Sequence, residues 1–281
     1  MIFHYLKIAF RNLCKYKTQN VISIIGLAVG LLCFCVCIYC SRFVENTDHC
    51  FANHDRIAEL NLYDGKAGRY FSGSPVPLAE ELRTWALGEA EAISSVTYPR
   101  ERPYYVELSP EKTLPYELET IEIDTCYNRI FTPEMVAGHW KMASQSLNSV
   151  ILSQSMAIKI FGNAESAIGK HMTLMRRLNT SPESTPKTGG IVYTIQAVMK
   201  DIPLNNSLDF MQNIDMLTVN DSEGLLQSPK RHNMTGANTY VLLSPQTTCT
   251  DLEKQFSKRD YTYTLYGEAY TVTASSMGAR L

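Results

Sequence analysis

Residues 20–40 have the sequence NVISIIGLAVGLLCFCVCIYC, and this stretch separates a short basic start from a long, mostly polar remainder. From Val21 to Cys40 the chain has no charged residue and no proline. As a helix rising about 1.5 Å per residue, the run is about 30 Å long, which is the thickness of the hydrocarbon core of a bilayer. The stretch therefore predicts one transmembrane helix over residues 21–40.

Two other structures share part of this pattern. The buried helix of a soluble core is normally shorter and amphipathic, whereas every face of this run is apolar. A cleaved signal peptide has an apolar region of about 7 to 15 residues before a cleavage site with small residues. Here the run is longer, and the sequence that follows it, CIYCSRF, has large residues instead. Both comparisons favour a retained membrane anchor.

The charges beside the apolar run predict its orientation. Lys7, Arg11, Lys15 and Lys17 precede it without any acidic residue, whereas the residues just after it mix both signs of charge. Basic residues are enriched on the cytoplasmic side of membrane spans. We therefore expect the N-terminus in the cytoplasm and residues 41–281 on the other side of the membrane.

The first eighteen residues, MIFHYLKIAFRNLCKYKT, have a helical pattern of their own. Lys7, Arg11 and Lys15 recur every four residues along one face. Apolar residues follow a second face: Ile2, Phe3, Leu6, Phe10 and Leu13. The pattern predicts an amphipathic helix over residues 1–20 that lies on the inner membrane surface, with Lys7, Arg11, Lys15 and Lys17 facing lipid headgroups. The alternative is a solvated basic segment that serves only to set the topology.

The charge balance bears on possible partners. The chain has a net charge of −2, and because the first twenty residues contribute +4, the remainder carries −6. A nucleic-acid-binding domain needs a basic surface, so this class of function is not favoured. About 240 residues follow the predicted span, which is enough for one large domain or two small ones. We expect two subdomains.

The eight cysteines do not form a disulfide pattern. Four lie within the apolar run, in the sequence CFCVCIYC, and three lie clearly beyond it, at Cys50, Cys126 and Cys249. Three widely spaced cysteines are not typical of a disulfide-stabilised fold. Although CFCVCIYC contains C-x-x-C, cysteine in a lipid-facing helix behaves as a small apolar residue.

Beyond the membrane run, the patterns indicate an α+β fold. The segment at 74–87, SPVPLAEELRTWAL, predicts a helix that begins at Ser74 and Pro75. The segments at 114–124 and 189–203, LPYELETIEID and GGIVYTIQAVMKDIP, predict strands. The segment at 149–162, SVILSQSMAIKIFG, predicts a strand, a turn at Ser153 and a helix that stops at Gly162. Residues 176–190, RRLNTSPESTPKTGG, predict an exposed hairpin connection.

The order of these phrases resembles the N-terminal part of MacB-like, FtsX-type ABC transporter permeases. The basic helix and first span are matched by YLKIAFRNLCKYKTQNVISIIGLAVGL, and the exit from the membrane by FVENTDHCFANHDRIAEL. Successive parts of the periplasmic core domain are matched by SPVPLAEEL, IFTPEMVAGHW, VILSQSMAIKIFGNAESAIGKHMTL and YTIQAVMKDIPLNNSLDF. Together these phrases cover most of residues 1–245. Gly162 and Gly169 in FGNAESAIGKHM also have a simple explanation as positions where backbone elements end and begin.

The resemblance implies a permease component in a bacterial inner membrane, with its main domain in the periplasm. It also implies a separate ABC ATPase subunit as partner, and either a second copy of the chain or another permease chain. This sequence departs from the family pattern in two respects. Ala197 occupies a strand position where relatives usually have glycine. Family members continue into three further spans, so the resemblance leads us to expect a fragment, a frame-truncated product or half of a split permease.

A search for catalytic patterns favours a protein that is not an enzyme and that needs no cofactor. The strongest candidate is DHCFANHD at 48–55, but its two histidines are five apart and suit one helical face poorly. Hydrated polar residues beside the membrane explain this segment better than a metal site. The motifs G-x-S-x-G, H-E-x-x-H and G-x-x-x-x-G-K-[ST] do not occur. Without the last of these motifs, the chain is not itself the ATPase.

Gly26 and Gly30 form a G-x-x-x-G pattern within the predicted span. Two glycines four residues apart let another helix approach closely, and we expect helix packing at this face. The alternative function is a single-pass, membrane-anchored sensor or binding module with an extracytoplasmic ligand domain.

Overall fold

The structure is a computed structural model of the 281-residue chain. It describes residues 4–5, 11, 15–71, 73–109, 112–174, 190–208, 211–221, 224–227 and 235–277. The chain divides into two compact units, one up to Thr47 and one from Asp48 onward. Each unit is described by itself.

The first unit consists mainly of one helix, α1 (Lys17–Glu45), of 29 residues. None of its residues is buried, and its most apolar window has a mean hydropathy of 2.9. Within the described part of the chain, this is the one helix whose length and composition suit a membrane span. At about 1.5 Å per residue, α1 is about 44 Å long. It therefore extends past residues 21–40 at both ends, where Lys17, Arg42 and Glu45 supply polar groups.

The second unit is rich in strands. Its described strands are β1 (Ile57–Asp64), β2 (Arg69–Phe71), β3 (Ser74–Pro75), β4 (Ala90–Thr97), β5 (Arg100–Ser109), β6 (Lys112–Ile123), β7 (Met135–Gly138), β8 (Ser149–Ser153), β9 (His171–Leu174), β10 (Val192–Met199), β11 (Met216–Val219), β12 (Thr235–Leu243), β13 (Thr262–Leu265) and β14 (Glu268–Ser276). Its described α-helices are α2 (Leu78–Arg83), α3 (Tyr127–Phe131), α4 (Trp140–Gln145), α5 (Gln154–Phe161) and α6 (Cys249–Lys258). Single turns of 3₁₀ helix occur at His54–Arg56, Glu165–Ala167 and Leu225–Gln227.

Six of these strands close into a barrel in the order β5-β6-β11-β8-β10-β9, with β9 paired again to β5. The β6–β11 and β8–β10 pairs are parallel, and the other four are antiparallel. Because side chains alternate across a strand, every second residue points inward. The barrel core contains Tyr104, Val106, Leu118, Val150, Leu152, Met172, Tyr193, Ile195 and Met216. Met156, Ala157 and Ile160 of α5 join this core.

Five further strands continue the sheet from β6 in the order β4-β12-β1-β14-β13, while β2, β3 and β7 pair with β1, β12 and β10 respectively. Helices α2 and α6 pack against them and bury Leu78, Leu82, Leu252 and Phe256 in a second core. A third core joins the two regions. It combines Ile121 and Leu217 on the outside of the barrel with Tyr127 and Phe131 of α3 and with Tyr240 of β12. The division of residues 41–281 into two subdomains stays a prediction.

The α+β class is confirmed, and several local predictions hold in detail. The predicted strands correspond to β6, β8 and β10. The helix after β8 begins where Ser153 Oγ accepts a hydrogen bond from the Met156 amide, at 3.3 Å. It ends at Gly162, whose φ of +86° is a conformation that glycine adopts at little cost.

One predicted helix start is wrong. Ser74 and Pro75 form strand β3 opposite β12, and helix α2 begins only at Leu78. The Ser74 hydroxyl lies 2.8 Å from the Thr239 hydroxyl in a buried pair, so long-range pairing outweighs the local preference of Ser-Pro for a helix start. The predicted connection at residues 176–190 lies almost wholly outside the described residues. It joins β9 and β10, which are antiparallel neighbours as in a hairpin.

Candidate functional site: the juxtamembrane clamp

The predicted membrane-surface residues are only partly described. Lys7 lies outside the described residues, whereas Arg11 and Lys15 are exposed at helical positions. Lys17 is the first residue of α1 and therefore continues directly into the apolar helix. The surface helix over residues 1–20 and its lipid contacts stay a prediction.

The predicted packing residues, Gly26 and Gly30, lie one helical turn apart on α1. A Cβ atom placed on either glycine meets no described atom within 4 Å. The G-x-x-x-G pattern predicts that a second helix packs at this face. Whether a partner helix occupies it stays a prediction.

Residues 48–56, here called the juxtamembrane clamp, begin three positions after α1 ends. Asp48 is 5% exposed and has a φ of +68°. Its amide donates to Asn205 O at 3.2 Å, and its Oδ1 accepts a hydrogen bond from the Ser207 amide at 2.6 Å. Aspartate tolerates this left-handed conformation better than most residues. Asp48 therefore ties the start of the second unit to the loop that follows β10.

Asn206 gives this loop its shape. Its Nδ2 donates to Pro203 O at 2.6 Å, and its Oδ1 accepts a hydrogen bond from the Leu208 amide at 2.9 Å. The side chain is 6% exposed, so both bonds are shielded from water. The loop thus presents Asn205 O and the Ser207 amide to Asp48 as a fixed pair.

Phe51 anchors the clamp in the apolar core. It is 4% exposed, and its ring lies 5.3 Å from that of Phe131 in an edge-to-face arrangement. Phe131 in turn contacts Tyr127 at 4.8 Å and Tyr240 at 5.2 Å between ring centroids. Burial of a phenylalanine side chain contributes about 1.5 to 3 kcal/mol, and aromatic pairs add to this. Phe51 is therefore the main apolar tie between the clamp and the rest of the unit.

Asn53 and Arg56 connect the clamp to two further elements. Asn53 Nδ2 donates to Ile130 O at 3.3 Å, near the end of α3, where helix carbonyls lack partners within the helix. Arg56 Nη1 donates to Glu91 Oε1 and to Leu243 O, both at 2.9 Å. The clamp thus contacts α3, β4, the end of β12 and the loop after β10.

The histidines of the clamp lie side by side. The ring centroids of His49 and His54 are 4.4 Å apart, and His54 Nε2 lies 3.2 Å from Asp55 Oδ1. In the described part of the chain, no group of three His, Cys, Asp or Glu residues is arranged to hold a metal ion. Burial and the nearby Asp48 carboxylate raise the pKa of the Cys50 thiol, which disfavours a reactive thiolate.

A cavity of about 320 Å³ adjoins the clamp. Phe51, Tyr127, Phe131 and Ile202 supply apolar walls, and Glu134 and Lys200 form an ion pair at 3.0 Å on its lining. A second cavity, of about 340 Å³, shares Asp201 and Ile202 with the first. The loop after β10 therefore runs between two spaces, each at the lower end of the volume range for small-molecule sites.

The sequence patterns did not identify a buried polar group at one end of the barrel. Glu122 is 5% exposed and Asp221 is 1% exposed, while Arg102 Nη1 lies 3.7 Å from Asp221 Oδ2. The pattern that reveals Glu122 is the alternation in β6, which puts it on the same inward face as Leu118 and Thr120. An acidic residue on the buried face of a strand calls for a specific partner.

The apolar helix and the barrel-containing unit define a class of protein: a chain with one helix suited to a membrane span, followed in sequence by a folded α+β domain. The sequence profile of the MacB-like periplasmic core domain matches residues 21–259. The chain therefore belongs to the family of ABC-type permeases with a MacB-like periplasmic core domain.

Solved structures show the same fold. A domain of a permease protein from Porphyromonas gingivalis is 22% identical, with a TM-score of 0.58, over 81% of this chain and 93% of that one. The periplasmic region of MacB from Actinobacillus actinomycetemcomitans is 14% identical, with a TM-score of 0.51, over 81% of this chain and 91% of that one. No curated relative matches the chain at the sequence level. At these identities the likeness establishes the fold alone.

Proposed function

We propose that the chain is a permease component of an ABC-type transporter, and that its large unit moves with the membrane helix to drive export or other periplasmic work. The family supports the transporter assignment. The observation that carries the mechanical part is the juxtamembrane clamp, which fixes the residues after the span to the folded unit through Asp48 and Phe51.

The clamp resists displacement through contacts of two kinds. The Asp48 carboxylate and the Asn53 amide hold backbone groups of two elements that are far apart in sequence. Phe51 adds apolar burial between them. A hydrogen bond to a charged group is worth about 1.5 to 3 kcal/mol, so separating the clamp from the unit costs several kcal/mol in total. In this proposal, residues 48–56 carry a movement of the span to α3 and to the loop after β10.

The partners in this proposal are a separate ABC ATPase subunit, membrane lipids, and a second copy of the chain or another permease chain. The chain lacks the phosphate-binding motif of an ATPase, which supports a separate subunit. The open face at Gly26 and Gly30 supports contact between spans. We assign the chain no catalytic activity and no nucleic-acid partner, because its large unit is acidic and because the titratable side chains among its described residues form no known catalytic group.

The experiment that tests the clamp compares two variants of the chain, coexpressed with the ABC ATPase and any further permease chain encoded beside it. In the double variant D48A/N53A, trapping the ATPase with nucleotide and vanadate should leave hydrogen exchange of residues 200–208 unchanged. The wild-type chain and the control D55A should show a nucleotide-dependent change, because Asp55 is 87% exposed. A change in D48A/N53A equal to that of the wild type would exclude the clamp as the coupling element.

The proposed topology places the N-terminus in the cytoplasm and the large unit in the periplasm of a bacterial inner membrane. Tyr266 is 65% exposed and lies in the large unit, so a membrane-impermeant maleimide should label the Y266C variant in cells whose outer membrane alone is permeabilised. The wild-type chain measures the background from the native cysteines. Labelling of Y266C only after the inner membrane is also permeabilised would reverse the topology.

The 320 Å³ cavity favours one alternative function, a membrane-anchored sensor or binding module. A ligand of such a module should raise the melting temperature of the purified chain without any ATPase. The I202W variant fills the cavity, since Ile202 lies between the two spaces, and should abolish this shift. Binding that survives in I202W would place the ligand elsewhere.

A further inference from the structure

The cavity of about 320 Å³ beside the juxtamembrane clamp is formed by three parts of the chain that are far apart in sequence. The clamp contributes residues 50–52 to its lining. Helix α3 and the residues after it contribute residues 127 and 131–134, and the end of β10 with the loop after it contributes residues 200–203. A molecule that fills the cavity therefore contacts all three parts at once.

The apolar part of the lining determines what kind of body the cavity accepts. Pro133, Ile202 and Pro203 line it together with Phe51 and Phe131. The side chains of these residues offer no hydrogen bond to water, so their contact with an apolar ligand is favourable. At about 30 Å³ per water, a cavity of this volume corresponds to about ten water molecules. It therefore suits a ligand built around one substituted aromatic ring.

The charged part of the lining favours a positive ligand. Among the described residues that line the cavity, Glu134 and Asp201 are acidic and Lys200 is basic, which leaves a charge of −1. The carboxylate of Asp201 is held in place, because its Oδ1 accepts hydrogen bonds from the Ser155 amide at 3.1 Å and the Ser155 hydroxyl at 3.0 Å. A cation near these carboxylates is attracted, and an anion is repelled.

The ion pair between Glu134 and Lys200 leaves room for such a cation. The two side chains are 70% and 60% exposed, and an exposed ion pair contributes little free energy. The flexible lysine side chain can therefore turn into water. The main chain stays fixed during this change, because the Lys200 amide donates to Glu134 O at 2.8 Å. An ammonium group of a ligand can thus take the place of the Lys200 ammonium group beside Glu134.

We propose that this cavity binds a small amphipathic organic cation, with its apolar body against Phe51 and Ile202 and its ammonium group beside Glu134 and Asp201. The proposal rests on the ligand cavity of the alternative function given above, and it requires neither an ATPase nor a particular membrane topology. It assigns to the cavity a class of ligand that is defined by an aromatic or aliphatic body and one positive charge.

Three water-soluble probes separate the contributions of charge and apolar body. Benzyltrimethylammonium has both features, tetramethylammonium has the charge without the ring, and benzylsulfonate has the ring with a negative charge. Binding of each probe to the full chain in non-ionic detergent micelles is measured by ligand-observed NMR titration. Benzyltrimethylammonium should bind about tenfold more tightly than either of the other two, because only this probe matches both parts of the lining.

Variants of the lining test the charge assignment. E134Q and D201N should each weaken binding of benzyltrimethylammonium by about two- to fivefold, whereas K200Q should strengthen it by a similar factor. The control D55N changes an aspartate of the clamp that is 87% exposed and does not line the cavity, so it should leave binding unchanged. A52W places a large side chain at an exposed position of the lining and should abolish binding.

Three results would overturn the proposal. The first is the absence of saturable binding of benzyltrimethylammonium, and the second is binding that survives in A52W. The third is tighter binding of benzylsulfonate with a loss of affinity in K200Q, which would show an anion site and would still leave a ligand-binding cavity. None of these results bears on coupling of the clamp to an ATPase, since that coupling is measured separately through nucleotide-dependent hydrogen exchange.

Discussion

The juxtamembrane clamp and residues 224–227 are both held by a buried carboxylate, yet the surroundings of the two carboxylates differ. Asp48 and Glu122 are each 5% exposed, and each accepts hydrogen bonds from backbone amides far away in sequence. Next to Asp48 lies Phe51, packed into the core that joins both regions of the unit, whereas Leu225 and Leu226 beside Glu122 belong to a small, separate apolar cluster. The comparison indicates that the same kind of carboxylate contact is backed by the main core at one site and by a small cluster at the other.

The largest effect is expected from removing Phe51, the apolar anchor of the clamp. Phe51→Ala should destabilise the unit by about 3 to 5 kcal/mol, because it leaves a cavity beside Phe131. Urea unfolding of the chain in detergent micelles, followed by the fluorescence of Trp85 and Trp140, measures this loss. Tyr266→Ala, at a side chain that is 65% exposed, is the control. A loss below about 1 kcal/mol for Phe51→Ala would remove the distinction between the clamp and residues 224–227.

The next effect concerns the pH dependence of stability. Because the folded pKa of Glu122 is raised to about 7, its contribution is fully present below its unfolded pKa and is lost as the pH rises through 7. The wild type should therefore be less stable at pH 8 than at pH 5 through this group, by at most about 3 kcal/mol. Glu122→Gln should reduce this difference in the same unfolding measurement. A wild type that gains from Glu122 on going to pH 8 would contradict the sign.

Removing the polar tie of the clamp should cost less than removing its anchor. Asp48→Ala leaves the Ser207 amide without its acceptor, and a buried unsatisfied group costs about 1 to 3 kcal/mol. Asp55→Ala changes an exposed aspartate of the same segment and should stay within about 0.5 kcal/mol of the wild type. Thermal unfolding of both variants checks the difference. Equal effects would mean that burial of Asp48 is irrelevant to the clamp.

The smallest effect is expected at the lining of the cavity. Lys200 and Glu134 pair at 3.0 Å, but their side chains are 60% and 70% exposed. Exposed ion pairs contribute up to about 1 kcal/mol and weaken with salt. Lys200→Ala should therefore lower stability by less than about 1 kcal/mol at low ionic strength, and by less still at 1 M salt. A larger loss that persists in high salt would show that Lys200 has a further structural role.

Local patterns predicted the elements of this chain better than its sites. The uniform apolar run produced α1, and the alternation in β6 and the Ser153 cap of α5 formed where the sequence indicated. The hydrogen bonds that define the two carboxylate sites are long-range. Glu122 and Leu225 are 103 positions apart in the sequence, and Asp48 and Ser207 are 159 positions apart. The spacing of residues within one element does not indicate such a contact, because the contact depends on which strands become neighbours.

Ser74 and Pro75 illustrate the same limit within a single element. Their local preference is to open a helix, but pairing with β12 makes them a strand. The burial of Glu122 could be predicted in part, because the alternation in β6 puts it on an inward face. Its role as a hydrogen-bond acceptor could not be predicted, because the donors at residues 224–227 come from another part of the chain.

The position of β1 between β12 and β14 has a consequence for how the chain acquires its structure. Among the described strands, β1 pairs briefly with β2 and otherwise with β12 and β14 of residues 235–276, since Ala58 pairs with Val241 and with Ser276. Contacts of such high sequence separation form slowly and expose apolar strands in the meantime. The first strand after the apolar helix in the sequence is therefore among the last to find its partners during synthesis. Substitutions that slow the pairing of β12 or β14 should increase aggregation and degradation of new chains more than they lower equilibrium stability.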